Sequence, residues 1–343
     1  MPIVTMDEYG EMLDRARTKG FAYPAINVRS SVALHAALKG FADAGSDGII
    51  QLTVRSTEFW SGSYLKDRIL GATAFADYAR AVAAKYPVNI VLHTDHCGEE
   101  DLDSFLRPLI AASHERVAQG CEPYFQSYMW DGSALPLDRN LTIAEDLLAA
   151  CDKAKALLEM EIGVVGGEEE GVTGEVGEKL YSTEEDALRT VRRLGSGEYG
   201  RYLVAAAFGN VHGVYQPGNV KLRPEVLGRL QDAVGREIGR DKPLDLVFHG
   251  GSGSSSEDIA AAVSHGVVKM NVDTDTQYAF TRAIADYMFT NYAQVMHVDG
   301  RMGSKKVFDP RAYLEKAETS MAARVTKACE DLNSAGTTMV GVA

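Results

Sequence analysis

The segment VLHTDHC, Val91 to Cys97, closes an apolar run with His93, Asp95 and His96 inside four residues. Histidine recurs in NVHG as His212 and in FHGGSG as His249, each again just past an apolar run. A single histidine at such a place is ordinarily a satisfied polar residue. Three brought to one point are a common ligand set for catalytic zinc, with a further coordination position left for substrate. The other histidines of the eight fit worse: His35, His114 and His265 fall in helical patterns, His297 follows one, and His93 shares its side of the strand with Asp95. Glu161, in LEMEIG, can serve as an alternate ligand or as a partner that orients one.

Two further stretches suggest an anion and a moving carboxylate. GGSGSSS follows His249, and DTDT follows a later apolar run. Glycine lets backbone N–H groups close on an anion at a helix N-terminus, so these loops predict a phosphate site, against the plainer reading of a flexible turn with a serine cap. GVVGGEEEGVTGEVGEKLYS, residues 163–182, is too long and glycine-rich for an ordinary connection and reads as a lid. A run of glutamates is commonly a solvated surface; on a loop above a metal, one of Glu168, Glu169 and Glu170 can act as general base.

Such residues meet only if the chain brings its apolar runs together. There are eight: 23–27, 48–52, 89–95, 124–129, 158–163, 202–210, 244–250 and 267–273. Between them lie stretches such as SSVALHAALKGFADAG and SSEDIAAAVSHG, with apolar residues at three- and four-residue spacing. Eight strand–helix units predict an α/β fold, a (β/α)8 TIM barrel formed as one domain over 1–343, with a leading helix and a C-terminal helical extension. A doubly wound sheet is the rival arrangement. In a barrel the reactive residues belong where strands end, and there stand Asn27, Thr53, Asp95, His96, Asp131, Glu161, His212, His249, Asn271 and Asp273.

Composition narrows the partners. A formal charge of −13 and a pI near 5.1 disfavour a nucleic-acid partner, because phosphate backbones select basic faces. No apolar run approaches the roughly 20 residues a bilayer core requires. The N-terminus carries Asp7, Glu8 and Glu11 where an export signal is basic and then apolar, so the expected location is cytoplasmic. Four scattered cysteines form neither a CxxC pair nor a disulfide framework.

Taken together, FAYPAIN, LHTDHC, MWDGS, EIGVVGGEEEGV, FGNVHGVYQPGNVKLRPE, FHGGSGS, VKMNVDTDTQYAFTR and DPRAYLEKAE resemble the class II, zinc-dependent fructose-bisphosphate aldolases, especially the bacterial group that includes mycobacterial enzymes. The resemblance covers nearly the whole chain. It implies Zn2+ on His96, His212 and His249, Asp95 as the proton carrier at the cleaved hydroxyl, and Glu169 as the loop carboxylate that moves the proton at carbon. It also implies a monovalent cation (Na+ or K+) on carbonyls around Val211, Gly213 and Gly250. The C1 phosphate then falls to Gly213, Gly250, Ser252 and Thr274, and the substrate hydroxyls to Asn271 and Asp273. Asn27, Lys305 and Arg311 match positions that serve the far phosphate, with Arg311 reaching in from a neighbouring subunit of a homodimer or homotetramer. The expected chemistry is retro-aldol cleavage of a ketose 1-phosphate, in which a Lewis acid does the work of a lysine Schiff base.

The resemblance weakens at the far end of the substrate. Where the family reads QFS, a variable residue and two glycines, this chain reads QLTVRS, so Thr53 replaces a serine and Arg55 and Ser56 replace glycines. Arg29, Trp60 and Tyr128 are further departures. Fructose 1,6-bisphosphate is the expected substrate, and 6-deoxy-6-sulfofructose 1-phosphate, which keeps the C1 phosphate and yields sulfolactaldehyde, is the alternative. Arg55 is then the expected reader of the C6 anion. A metal-dependent hydrolase or isomerase on the same barrel, and a barrel without catalysis, are the competing classes.

Overall fold

The computed structural model describes residues 2–163, 166–169, 172–174, 181–212, 222–295, 300 and 303–341, and of 166–169, 172–174 and 211–212 the backbone alone. Eight parallel strands close a barrel: β1 Tyr23–Asn27, β2 Gly48–Thr53, β3 Ile90–Asp95, β4 Ser127–Trp130, β5 Leu157–Ile162, β6 Tyr202–Ala206, β7 Leu246–Phe248 and β8 Val267–Val272. Each pairs with the next in sequence, and β8 returns to β1 with Ala25 opposite Asn271. Closure excludes the doubly wound sheet. Every residue of these strands is buried, because helices cover the outside and side chains fill the inside.

The inside and outside are separate apolar layers. Tyr23, Ala25, Ile49, Val91, Leu157, Leu203, Val247 and Val268 form one cluster with Tyr9, Met12, Leu13 and Ala16 of the helix Met6–Lys19, which seals the N-terminal end of the barrel. That helix starts with a capping box between Thr5 and Glu8 and stops at Gly20, whose φ of 70° favours glycine. The barrel is therefore closed below and reactive above. At the other seam, Pro310–Asp331 packs along Ser31–Ala44, so close that a Cβ on Gly40 would lie 2.5 Å from Val325 Cβ.

Two elements differ from the sequence reading for local reasons. The helical pattern LDSFLRPLIAASHERVAQG opens with a π-helical turn, Leu102–Leu106, before Arg107–Ala118, because Pro108 has no N–H to continue the ladder. The fourth strand begins at Ser127 instead of 124, since Tyr124 N is taken by Ser113 Oγ (3.0 Å) and Gln126 uses its side chain on Leu92 N (3.0 Å). Within 163–182, the stretch expected to act as a lid, the described backbone includes a short hairpin, Gly166–Glu169 with Val172–Gly174. Its first strand runs parallel to Val211–His212, with Gly167 opposite His212.

Candidate active site

At the open end, the strand tips converge on Asp95. Asn27 Nδ2 (2.7 Å) and Gln51 Nε2 (2.9 Å) donate to Oδ2, and Asn271 Nδ2 (3.1 Å) donates to Oδ1. Gln51 also donates to Asn27 Oδ1 at 2.7 Å. Four strands thus fix one buried carboxylate, and three amides replace the water it has lost.

Beside it the chain turns sharply. His96 has a φ of 35°, a left-handed value that non-glycine residues adopt at some cost, and its N–H is held by Met129 Sδ at 3.2 Å. The turn brings its ring to 4.7 Å from that of His249, edge to face. His96 Nδ1 donates to Asp131 Oδ2 at 2.9 Å, which puts the lone pair on Nε2. Burial would raise the Asp131 carboxyl, but the bonds from His96 and Ser133 outweigh it and hold it far below the usual carboxylate range.

His249 is oriented from below. Its carbonyl accepts from Asn210 Nδ2 (2.8 Å), its Nε2 lies 2.8 Å from Glu159 Oε1, and its Nδ1 lies 3.3 Å from Glu161 Oε2. Burial opposes a charge on this ring, yet the two carboxylates prevail and raise its pKa to about 9. A metal ion at Nδ1 would take the place of that proton. Glu159 is fully buried; the Lys269 ammonium at 2.9 Å, with His249, overcomes its desolvation and keeps it ionised. His93 is buried and neutral, bonded to Ser127 Oγ at 2.7 Å, and so turns away from any ligand role.

Among the described residues, ligand atoms of Asp95, His96 and His249 lie within 4.8 Å of one another, as do those of His96, Asp131 and Glu161. Imidazoles with carboxylates fit a zinc-like divalent ion. The third expected ligand, His212, has its backbone on the strand beside the Glu-rich hairpin, and its side chain lies outside the described residues, as do the side chains of Glu168 and Glu169 and all of Gly213.

The loops after β7 and β8 meet. Gly250 has a φ of 64°, Ser252 is buried, and Asp275 N in the first turn of the helix Thr274–Thr290 donates to Ser252 Oγ at 3.4 Å. At the other end, Thr53 caps the helix Val54–Trp60 by accepting from Ser56 N (3.2 Å), and the two hydroxyls lie 2.9 Å apart. Arg55 is exposed on that helix. Asp273 is held by Arg29 through two bonds of 2.7 and 2.8 Å. Lys305 and Arg311 are exposed, the latter chelated by Asp309. Tyr128 and Trp60 belong to packing: Tyr128 Oη reaches Ser113 Oγ at 2.5 Å, and Trp60 packs edge-on against Phe75.

The sequence reading gave no role to Glu159, Lys269 or Gln51, and placed Asp131 at a strand end without assigning it a partner. Glu159 alternates with Glu161 along one strand, and Lys269 with Asn271 along another, so a charge inside each apolar run was the available signal.

Residues 7–337 match the family described as fructose-bisphosphate aldolase class-II. Fructose-bisphosphate aldolases of Mycobacterium tuberculosis (58% identical) and Streptomyces coelicolor (57% identical) align over 98% of this chain and 98% and 99% of their own. The crystal structure of the fructose-bisphosphate aldolase from Campylobacter jejuni superposes with a TM-score of 0.85 at 36% identity, over 97% of this chain and 96% of that one. Barrel, strand-end site and relatives agree: the chain belongs to the class II fructose-bisphosphate aldolases, which are carbon–carbon lyases.

Proposed function

We propose that the protein reversibly cleaves a ketose 1-phosphate, fructose 1,6-bisphosphate in the first instance, to dihydroxyacetone phosphate and a three-carbon aldehyde, using Zn2+ held by His96, His212 and His249. The observation that carries this reading is the convergence of the His96 and His249 rings beside a carboxylate fixed by three amides. A bound divalent ion supplies Lewis-acid polarisation of a carbonyl oxygen and neutralises charge developing there. Glu161, 3.3 Å from His249 Nδ1, would be available to hold the ion as an alternate ligand.

Asp95 takes the proton of the C4 hydroxyl, since its amide partners leave it one orientation. Glu169 exchanges the proton at the carbon nucleophile from a hairpin paired to the strand of His212. Gly250, Ser252 and Thr274, with Gly213, hold the C1 phosphate at the N-terminus of the helix Thr274–Thr290. Asn27, Asn271 and Asp273 contact the substrate oxygens, and Na+ or K+ sits on the carbonyls near Gly250. Tyr278, Phe289 and Tyr292 are exposed on the helices after β8, which supports a homo-oligomer in which Arg311 of one copy serves another.

A second reading concerns the aldehyde half alone. In QLTVRS the Thr53 and Ser56 side chains are buried and bonded to each other, so this loop presents a different surface from a glycine pair. A C6-modified substrate such as 6-deoxy-6-sulfofructose 1-phosphate fits that change. The test is release of dihydroxyacetone phosphate from each substrate, before and after chelation and after zinc is restored. Borohydride with substrate should trap no lysine adduct; a trapped adduct overturns the metal mechanism.

A further inference from the structure

We propose that Arg29 determines specificity at the aldehyde end by binding a terminal anion, the phosphate or sulfonate oxygens on C6. The proposal deepens the aldolase reading and rests on it.

The placement follows from the hydrogen bonds at two neighbouring strand ends. Asn27 and Arg29 are two residues apart where β1 ends, as are Asn271 and Asp273 where β8 ends, and β1 and β8 are neighbours. Arg29 and Asp273 lie just past their strands, Asp273 as the residue that opens the helix Thr274–Thr290. The inner members, Asn27 and Asn271, both bond Asp95. The outer members bond each other, Arg29 Nη1 to Asp273 Oδ1 at 2.7 Å and Nη2 to Oδ2 at 2.8 Å. A charged step therefore lies directly outside the amide step that fixes the proposed proton carrier. With the C4 hydroxyl at Asp95, C6 lies two carbons beyond it, and the proposal places that end of the substrate at the outer step beside β1.

Three further observations favour binding over a purely structural pair. The Arg29 and Asp273 side chains are 33% and 20% exposed, so the pair sits at the mouth and not in the core. Of the described cations bonded to this group of residues, the other, Lys269, is fully buried against Glu159. Arg55, the arginine the sequence singled out, is exposed on the next helix. A guanidinium carries five N–H donors in a rigid fork, and Asp273 fixes its plane through two of them. An acidic chain that binds a doubly anionic substrate needs such a local cation at each end.

Three ketose 1-phosphates that differ only at C6, bearing phosphate, sulfonate or hydroxyl, test the proposal in the zinc-loaded full-length enzyme, with release of dihydroxyacetone phosphate as readout. Arg29→Gln should lower kcat/KM for the preferred anionic substrate about ten- to a hundred-fold more than for the hydroxyl substrate. Arg29→Lys should recover part of the loss through charge without the fork. The wild-type preference between phosphate and sulfonate identifies the anion. The ratio of anionic to neutral rates does not depend on the fraction folded, so a destabilised variant still reports. An equal fall on all three substrates, or no fall on the anionic ones, overturns the assignment. If the wild type releases dihydroxyacetone phosphate from none of them, the aldolase reading itself fails, and this proposal with it.

Discussion

Glu159 Oε1 lies 2.8 Å from His249 Nε2, and the same carboxylate is held by the Lys269 ammonium at 2.9–3.0 Å. One fully buried ion pair thus sets the tautomer and angle of a ring at the mouth of the barrel. Outer partners of this kind commonly change metal affinity by about 10- to 100-fold when removed. Glu159→Gln is therefore expected to weaken zinc binding by that factor, measured by competition with a chromogenic chelator. Unchanged affinity would show that His249 needs no such support.

The three amides on Asp95 make a second case. Gln51→Leu removes one donor to Asp95 and the bond to Asn27. A hydrogen bond to a charged group contributes about 1.5–3 kcal/mol, so kcat should fall roughly ten- to a hundred-fold if that orientation is used in the transition state. Steady-state kinetics decide it: a rise in KM alone would place Gln51 in ground-state binding instead.

Within the glutamate run, Glu169→Gln should slow turnover by about a hundred- to ten-thousand-fold with little change in KM, as expected of a proton carrier. The same change at Glu168 or Glu170 should cost much less. The opposite ranking would move the role to a neighbour on the hairpin.

Stability should also respond to pH through His93. Burial, helped by the Lys269 charge, pulls its pKa down to about 3. The unfolded chain therefore takes up a proton near pH 6.5 while the folded chain refuses it until about pH 3, and stability that is full above 6.5 drains away as pH falls between the two. The loss is on the order of a few kcal/mol. Urea midpoints from pH 7 to 4.5 should fall less steeply for His93→Gln than for the wild type, and parallel curves would remove His93 from the account.

A packing test lies beside the substituted loop. A Cβ on Gly71 would stand 1.9 Å from the Thr57 carbonyl oxygen, where the helix Arg68–Ala83 crosses Val54–Trp60. Backbone cannot yield as a side-chain tip does, so Gly71→Ala should destabilise by ~1–3 kcal/mol or more, read as a lower thermal midpoint. A neutral result would mean that the two helices are free to part.

Much of this is legible in the sequence for a definite reason. Parallel strands buried on both faces must be apolar throughout, so the runs ending at Asn27, Asp95 and Val272 declare themselves, and barrel closure then forces their polar tips together. His96 and His249 were found that way. Pairings between distant residues are another matter. Nothing local marks Glu159 as the partner of Lys269, 110 positions away, or Arg29 as that of Asp273, because both depend on which strands become neighbours and how far each is staggered. The π-helical turn at Leu102 was hidden for a different reason: Pro108 is tolerated within a first helical turn, and only the backbone shows where that turn begins.

The pairing of Gly167 with His212 has a thermodynamic reading. If His212 holds the proposed ion and the hairpin closes over it, this backbone ladder would make ion occupancy and hairpin docking linked variables, and linkage is reciprocal. Whatever factor the ion contributes to closing the hairpin, the closed hairpin returns to the affinity for the ion. Substrate that draws Glu169 inward would then tighten the metal it reacts upon, and a chelator would compete best against the resting enzyme.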